Sequence, residues 1–240
     1  MTTDKFKLPE EVIISVIGIG EDSKKYIEEI KDWNSPLVSA MMLDRDFIVP
    51  EAGIEMAILL ITENVDATIL AKNLKQSGLL TLIIATCEIR AMEGSYDSMA
   101  MVSSEKVMET VKTAAEILYN PHNLLSNDTT GWWCELKDSE TFQTFSFTSS
   151  YREGGMTNVV NYLKEKLKEL PSLKKIMFSI NISRAGLVTH GPEYFEILCE
   201  FLSKLEDSIK VLWGLDPNEN MASDELAISV IATGISKYKE

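Results

Sequence analysis

The chain has 240 residues, of which 45% are hydrophobic and 25% charged, a composition typical of globular proteins. Its formal net charge of −14 disfavours nucleic acid or an anionic membrane as a partner. Three scattered cysteines, Cys87, Cys134 and Cys199, argue against a disulfide framework or a zinc site and favour a reducing, cytoplasmic location. There is no apolar run of transmembrane length and no signal peptide pattern, so direct membrane insertion is not expected.

The first third of the chain alternates predicted strands and helices. Glu11–Gly20 is an apolar run that ends in Gly-x-Gly and is predicted to be a buried strand. Asp22 or Ser23 is predicted to cap the next helix. The apolar positions of that helix share one face: Tyr26, Ile27, Ile30 and Trp33. Leu37–Leu43 is predicted to be a second strand, and Asp44–Gly53 a polar connection, which together indicate a parallel, three-layer α/β arrangement.

A strand, loop, helix and strand are predicted between Glu55 and Thr86. Met56–Ile61 and Leu79–Ala85 are almost entirely apolar, as parallel strands covered on both faces are. Asp66 is predicted to cap the intervening helix, and Gly78 to end it. The predicted buried face of this helix consists of Ile69, Leu70 and Leu74. Ligands bind such folds at the carboxyl ends of the strands, so the loop Thr62–Asp66 is where a site is expected.

The middle of the chain contains a predicted domain boundary. Glu88–Ser103 is predicted to be mainly a loop, and Ser104–Tyr119 a helix. The turn-rich segment Asn127–Gly131 is interpreted as the linker between domains at 1–126 and 127–240.

The C-terminal half is predicted to be an α+β domain of four strands and two helices. The predicted strands are Thr141–Thr148, Ile176–Ile182, Ile209–Leu215 and Leu226–Thr233. One predicted helix follows Gly154-Gly155 and runs to Leu170, and the other runs from Pro192 to Leu205.

Three motifs in the last sixty residues resemble the C-terminal half of the FtsZ/tubulin superfamily. They are Asn181-Ile182-Ser183 at the end of a strand, Gly214-Leu215-Asp216-Pro217 at the end of another, and Val230-Ile231-Ala232-Thr233-Gly234 in the last. Near the N-terminus, Val16–Gly20 is similar to the first strand and first glycines of FtsZ, and Asp44 falls where the family has an acid. The resemblance implies an N-terminal α/β half joined by a helix to a C-terminal α+β half.

In the family that the chain resembles, GTP phosphates rest on glycine-rich loops, because backbone N–H groups at a helix N-terminus bind anions only where side chains are absent. Here the first loop continues with Glu21, Asp22 and Ser23, and the second is Thr62–Asp66, which is acidic and contains no glycine. The resemblance therefore implies degenerate nucleotide loops. The positions concerned are Gly18, Gly20, Glu21, Asp22, Ser23, Asp44, Thr62, Glu63, Asn64 and Asp66.

A third family element is the acidic loop after the joining helix, which in FtsZ contacts the nucleotide of the next subunit. The best match here is Trp133, Glu135 and Asp138, a candidate interface in which Trp133 replaces an Asn. The alternative interpretation of Glu135 and Asp138 is a pair of surface acids. Trp132 and Trp133 are interpreted as packing between the domains or, alternatively, as an exposed partner surface.

Other patterns give weak functional signals. Ser23 stands where a dinucleotide fingerprint needs a third glycine, and His190 is predicted to lie at a helix start without a catalytic role. Two histidines and three scattered cysteines give no metal-ligand pattern, so no metal and no catalytic residue are expected.

The favoured hypothesis is a non-enzymatic, FtsZ-like structural or assembly-regulating protein that has lost GTP binding. It would have no cofactor, and its partner would be another copy or another FtsZ-like subunit. The first alternative is an atypical GTPase of low activity that uses GTP with Mg²⁺ bridging acid and phosphate. The second is a protein that binds a small, cationic ligand in an acidic cleft.

Overall fold

The computed structural model describes residues 13–33, 35–43, 53–89, 94–118, 134–137, 139–170, 172–218 and 221–234. The chain divides into two compact units. The first comprises Met1–Val111 with Leu136–Asp138, and the second Lys112–Glu135 with Ser139–Glu240. The predicted boundary at 126/127 and the linker Asn127–Gly131 lie outside the described residues. Asp44, Trp132, Trp133 and Asp138 also lie outside them.

The first unit contains a five-stranded parallel sheet in the order β2-β1-β3-β4-β5. Its strands are β1 (Ile14–Ile19), β2 (Val38–Met42), β3 (Met56–Ile61), β4 (Leu80–Ala85) and β5 (Ser98–Met101). Every residue of β1, β3 and β4 is buried, which is why these strands read as continuous apolar runs. The predicted parallel α/β arrangement is confirmed.

Two helices of the first unit follow the predicted pattern with one exception. Helix α1 (Lys24–Asp32) buries Tyr26, Ile27 and Ile30, as expected. Helix α2 (Thr68–Gln76) buries Ala71 and Leu74, but Ile69 is 75% exposed, so its predicted place on the buried face was wrong. Ala67, Ala71 and Leu74 follow one another at helical spacing and fill that face. Ile69 lies about 200° around the helix from Ala71.

Strand β5 was missed because its four residues, Ser98–Met101, have neither the β-branched residues nor the length of a typical strand. Asp97, which precedes it, is 3% exposed and accepts a hydrogen bond from the Thr81 N–H at 2.8 Å. The Asp97 N–H donates to the Thr81 carbonyl at 2.9 Å, and Lys75 Nζ lies 3.1 Å from the Asp97 carboxylate. A buried side chain thus attaches the short strand to its neighbour β4.

Helix α3 (Val107–Leu118) follows a 3₁₀ turn at Ser104–Lys106, and the boundary between the units falls within it. The helix predicted over Ser104–Tyr119 is therefore confirmed as far as Leu118. None of the helices in the described ranges is both long and apolar enough to cross a membrane.

The second unit contains a four-stranded sheet in the order β6-β9-β7-β8, in which β9 is antiparallel to β6 and β7. The strands β7 and β8 are parallel. Their bounds are β6 (Glu140–Ser150), β7 (Lys175–Ile182), β8 (Lys210–Pro217) and β9 (Glu225–Thr233). The helices are α4 (Gly155–Lys168) and α5 (Arg184–Leu202). The predicted α+β arrangement of four strands and two helices is confirmed.

Helix α5 begins at Arg184, eight residues before the predicted start at Pro192, which lies inside it. The cause is a cap within the Asn-Ile-Ser motif: the Ser183 hydroxyl oxygen accepts a hydrogen bond from the Gly186 N–H at 2.9 Å. His190 therefore lies within the helix and not at its start, and its ring stacks on Tyr151 at 3.8 Å between ring centres.

Candidate functional site

The candidate site lies at the carboxyl edge of the first sheet. Strand β1 connects to β2 on one side, whereas its other neighbour, β3, connects to β4 in the opposite direction. The gap between β1 and β3 is therefore a topological switch point. Open parallel sheets bind ligands in the crevice beside such a point. Gly20 follows β1 and Thr62 follows β3, so the two loops implied by the family resemblance flank this crevice.

Gly20 sets the geometry of the first loop. Its backbone has φ 96° and ψ 150°, a conformation that is essentially restricted to glycine. The Ser23 hydroxyl donates to the Gly20 carbonyl at 2.6 Å and the Ser23 N–H donates to the same oxygen at 3.1 Å. Ser23, one of the two predicted cap residues, is fully buried, closes the 3₁₀ turn Glu21–Ser23 and is the N-cap residue of α1. Its side chain accepts no capping hydrogen bond.

The second loop lies against the first. A Cβ atom on Gly20 would be 2.8 Å from Thr62 Oγ1 and 2.9 Å from Glu63 Cγ. The Thr62 N–H and hydroxyl both donate to the Ile19 carbonyl, at 3.1 and 3.2 Å. The backbone of the first loop can therefore approach the second only because residue 20 has no side chain.

A carboxylate occupies the start of the first helical segment. Glu63 Oε1 accepts a hydrogen bond from the Glu21 N–H at 2.5 Å, across 42 residues of sequence. The first N–H groups of a helical segment have no partner within the segment and carry a partial positive charge, so they bind anions. Two residues singled out as degenerate loop positions are thus in direct contact, and one provides an internal anion for the backbone of the other.

Asp66 and Asn64 complete the second loop. The Thr68 N–H donates to Asp66 Oδ1 at 3.0 Å, and hydrogen bonding with Thr68 holds the pKa of Asp66 below its ordinary value. Asp66 therefore supports the start of α2, although Ala67 and not Asp66 is the capping residue. Asn64 is exposed.

Cys87 belongs to this edge and was not predicted to be a site residue. It follows β4, and its pKa is raised first by burial and then by the negative charge of Glu63. A thiol with a raised pKa is a poor nucleophile at neutral pH. The signal available in the sequence was its place after a parallel strand, since such strands end at one edge.

The carboxyl edge is strongly acidic. The loops after β1, β3 and β4 carry five exposed carboxylates: Glu21, Asp22, Glu63, Asp66 and Glu88. Two unit charges of like sign 4–6 Å apart repel each other by about 1–4 kcal/mol at effective dielectric constants of 20–80. This chemistry disfavours a phosphate and is compatible with a cation.

Glu135, the described member of the candidate interface, takes part in ion pairs within the second unit. Its carboxylate lies 3.0 Å from Lys175 Nζ and also contacts Lys210, and the Glu135 carbonyl accepts from Lys175 Nζ at 3.1 Å. Its side chain is 13% exposed. Both lysines lie at the starts of parallel strands, so Glu135 holds its short segment against β7 and β8.

These ion pairs predict a pH-dependent contribution to stability. Burial raises the pKa of Glu135, but hydrogen bonds from Lys210 and Lys175 outweigh burial, and the net pKa lies below the ordinary 4.5. The stabilisation is complete above the unfolded pKa and is lost as pH falls through the folded pKa. We expect Glu135→Gln to lower the free energy of unfolding by about 1–2 kcal/mol at pH 7, and we expect this difference to disappear as pH falls through the folded pKa, measured by urea denaturation.

The matched control is Glu200→Gln, because Glu200, near the end of α5, forms an exposed ion pair with Lys204, which lies just beyond the helix. Exposed pairs of this kind contribute little, so this variant should unfold like the original protein. A Glu135→Gln penalty that persists unchanged at low pH would contradict the ion-pair explanation.

The fold is similar to those of solved FtsZ and TubZ structures. An empty FtsZ dimer from M. jannaschii matches 93% of this chain and 88% of its own, with a TM-score of 0.66 and 12% identity. An FtsZ point mutant from the same organism matches 90% of this chain and 71% of its own chain, with a TM-score of 0.60 and 14% identity. A GTPγS-form TubZ protofilament from Bacillus thuringiensis serovar israelensis matches 94% of this chain and 87% of its own chain, with a TM-score of 0.60 and 7% identity.

Comparison of the sequence with protein-family models found no match, and comparison with curated proteins found none either. The architecture is nevertheless that of the FtsZ/tubulin fold, as the sequence motifs implied: an N-terminal parallel α/β unit and a C-terminal α+β unit, with a helix running from one to the other in the chain. At identities of 7–14%, this similarity establishes the fold and not an activity.

Proposed function

We propose that this protein is a non-enzymatic, FtsZ-like assembly protein that does not bind GTP. The observation that carries the proposal is the hydrogen bond from the Glu21 N–H to the Glu63 carboxylate. In the resembled family, the corresponding loops hold phosphate. Here an internal carboxylate satisfies the backbone donor that a phosphate oxygen would use.

The balance of charges supports loss of nucleotide binding. A nucleotide would have to displace Glu63 and then place its phosphates among five exposed carboxylates. Each acid would oppose each phosphate charge by about 1–4 kcal/mol, while millimolar binding corresponds to only about 4 kcal/mol in total. A few such repulsions are therefore enough to remove measurable affinity.

The kind of protein that shares this fold supports the proposed assembly function by analogy. Two of the similar structures are an FtsZ dimer and a TubZ protofilament. By analogy, the partner of this protein would be another copy or another FtsZ-like subunit, and association would not require a nucleotide switch.

Calorimetric titration of the nucleotide-stripped protein with GTP and Mg²⁺ tests the proposal. We expect no binding heat up to about 1 mM GTP, the concentration at which even a 4 kcal/mol interaction would be half-saturated. Micromolar binding would overturn the proposal and favour the atypical GTPase, with Mg²⁺ bridging acid and phosphate. Binding of spermidine in place of GTP would favour the cationic ligand.

Two variants test whether the Glu63 carboxylate protects the Glu21 amide. Glu63→Gln removes the charge that faces the Glu21 N–H, whereas Glu29→Gln removes an exposed charge on α1. If Glu63 replaces phosphate, hydrogen exchange at the Glu21 amide should accelerate in Glu63→Gln and not in Glu29→Gln. Equal exchange in both variants would mean that the contact does not protect this amide.

A further inference from the structure

Strand β8 is the last strand of the second sheet, and no described residue pairs with its outer edge. On the inner side, the Lys210 N–H donates to the Lys174 carbonyl at 2.9 Å, and the parallel register with β7 keeps the backbone groups of the even-numbered residues on that side. Because backbone groups alternate in direction along a strand, those of Val211 and Trp213 point outward.

The accessible part of this edge, Val211–Trp213, is apolar and lacks the features that commonly prevent strand pairing. These three residues are half-buried, whereas Gly214–Asp216 are buried. Natural edge strands are protected by charges, prolines or bulges. In β8 the charged Lys210 and the proline Pro217 stand at the two ends, and the register with β7 runs without a bulge. An edge of this kind is a template for another strand.

A line of apolar side chains on helix α5 lies beside this edge. Val188, Phe195 and Leu202 are seven residues apart and therefore share one side of the helix. The Phe195 ring lies 6.0 Å from the Trp213 ring, which places this side of α5 towards β8. Val188 is 80% exposed, the highest value among the exposed large hydrophobic side chains of the described residues. The apolar surface thus has two layers, one of strand and one of helix.

The charges at the two ends of α5 are of opposite sign. Arg184, at its start, is exposed, and so are Glu206 and Asp207 just beyond its end. Lys204 also lies at this end, but it pairs with Glu200. In an antiparallel pair of α5 helices the arginine of each copy approaches the acidic end of the other, whereas a parallel pair would bring like charges together. In a chain with a net charge of −14, this complementarity favours a second copy, in the antiparallel orientation, as the partner.

We propose that two copies of this protein form a two-fold dimer through β8 and α5. The β8 strands pair antiparallel, with Val211 of each copy opposite Trp213 of the other, and each such pair exchanges both of its N–H···O hydrogen bonds. The α5 helices then lie side by side, with Val188 of each copy near Leu202 of the other. Both copies use the same surface, so the contact is isologous and closes at two copies. It does not depend on the proposed loss of GTP binding.

Two full-length variants block the two layers separately. Val211→Pro removes an outward N–H that β7 does not use, and proline is tolerated at such positions of edge strands. Val188→Asp places a charge in the helix layer at an exposed position. Ile69→Asp is the matched control, because it makes the same kind of change at another aliphatic side chain, which is 75% exposed on α2. Cooperative urea denaturation checks that each variant folds.

Sedimentation velocity over a concentration series measures the dimer, and hydrogen exchange locates it. The original protein and Ile69→Asp should dimerise equally. Each blocked variant should associate about 10- to 100-fold more weakly, because every substitution acts twice in a two-fold contact. In the original protein, the Val211 and Trp213 amides should exchange more slowly at concentrations at which it is dimeric than at those at which it is monomeric.

An original protein that stays monomeric over the whole series would overturn the inference. So would unchanged exchange of both amides in the dimer, or a folded blocked variant that associates as strongly as the original. If Val211→Pro does not fold, Val188→Asp and the exchange measurement decide. Association that survives in the blocked variants would remove only this contact and leave the assembly proposal standing, and GTP binding is decided separately by calorimetry.

Discussion

Asp97→Ala is expected to lower the free energy of unfolding by about 3 kcal/mol, at the lower end of the 3–5 kcal/mol typical of a broken buried ion pair. The Asp97 carboxylate is 3% exposed, accepts a hydrogen bond from the Thr81 N–H and forms an ion pair with Lys75. Alanine would leave a buried backbone donor without its acceptor and would remove the carboxylate that faces Lys75, whose Nζ also donates to the Tyr96 carbonyl at 2.9 Å. Lys75 is 26% exposed and regains part of its hydration, which limits the cost.

Asp97→Asn is the matched control, since it keeps an oxygen for the Thr81 N–H and removes the charge that faces Lys75. It should destabilise by less than the alanine variant. Urea denaturation gives the free energies, and native-state hydrogen exchange of the Thr81 amide reports whether β5 separates from β4. Equal stability of the alanine variant and the original protein would show that strand pairing alone holds β5.

Gly20→Ala is expected to cost about 3 kcal/mol and to separate the two loops of the candidate site. About 1–2 kcal/mol comes from forcing a side chain into the Gly20 backbone conformation, and a similar amount from overpacking against Thr62 and Glu63. The Cβ atom would push Glu63 away from the Glu21 N–H. In the variant, the Glu21 amide should therefore exchange its hydrogen faster, and the protein should be less stable.

Gly78→Ala provides the control for backbone strain alone. Gly78 has a positive φ of 87°, but nothing lies within 4 Å of the position of a Cβ atom. This variant should lose only about 1 kcal/mol, with no change at the Glu21 amide. If the two alanine variants were equally destabilised, crowding between the loops would contribute nothing.

Local patterns of the sequence were sufficient for most of the elements. Continuous apolar runs predicted β1, β3 and β4, and helical spacing predicted the buried face of α1, because burial on both faces or on one stripe determines which residues a segment can contain. Helix α5 and strand β5 were misjudged. Helix α5 begins at the Ser183 cap, well before the proline at which its start was predicted. Strand β5 has no long apolar run, and the buried Asp97 side chain holds it to β4 instead.

For the site, the sequence by itself determined which residues stand in the two loops and that these loops are acidic and poor in glycine. It also determined the fold class, through motifs near the C-terminus. Only the tertiary structure decided that the Glu63 carboxylate meets the Glu21 N–H, 42 residues away, and that Glu135 pairs with Lys175 and Lys210. The reason is physical: periodicity records whether a side chain faces the core, whereas the partner of a polar group depends on which strands become neighbours in the sheet.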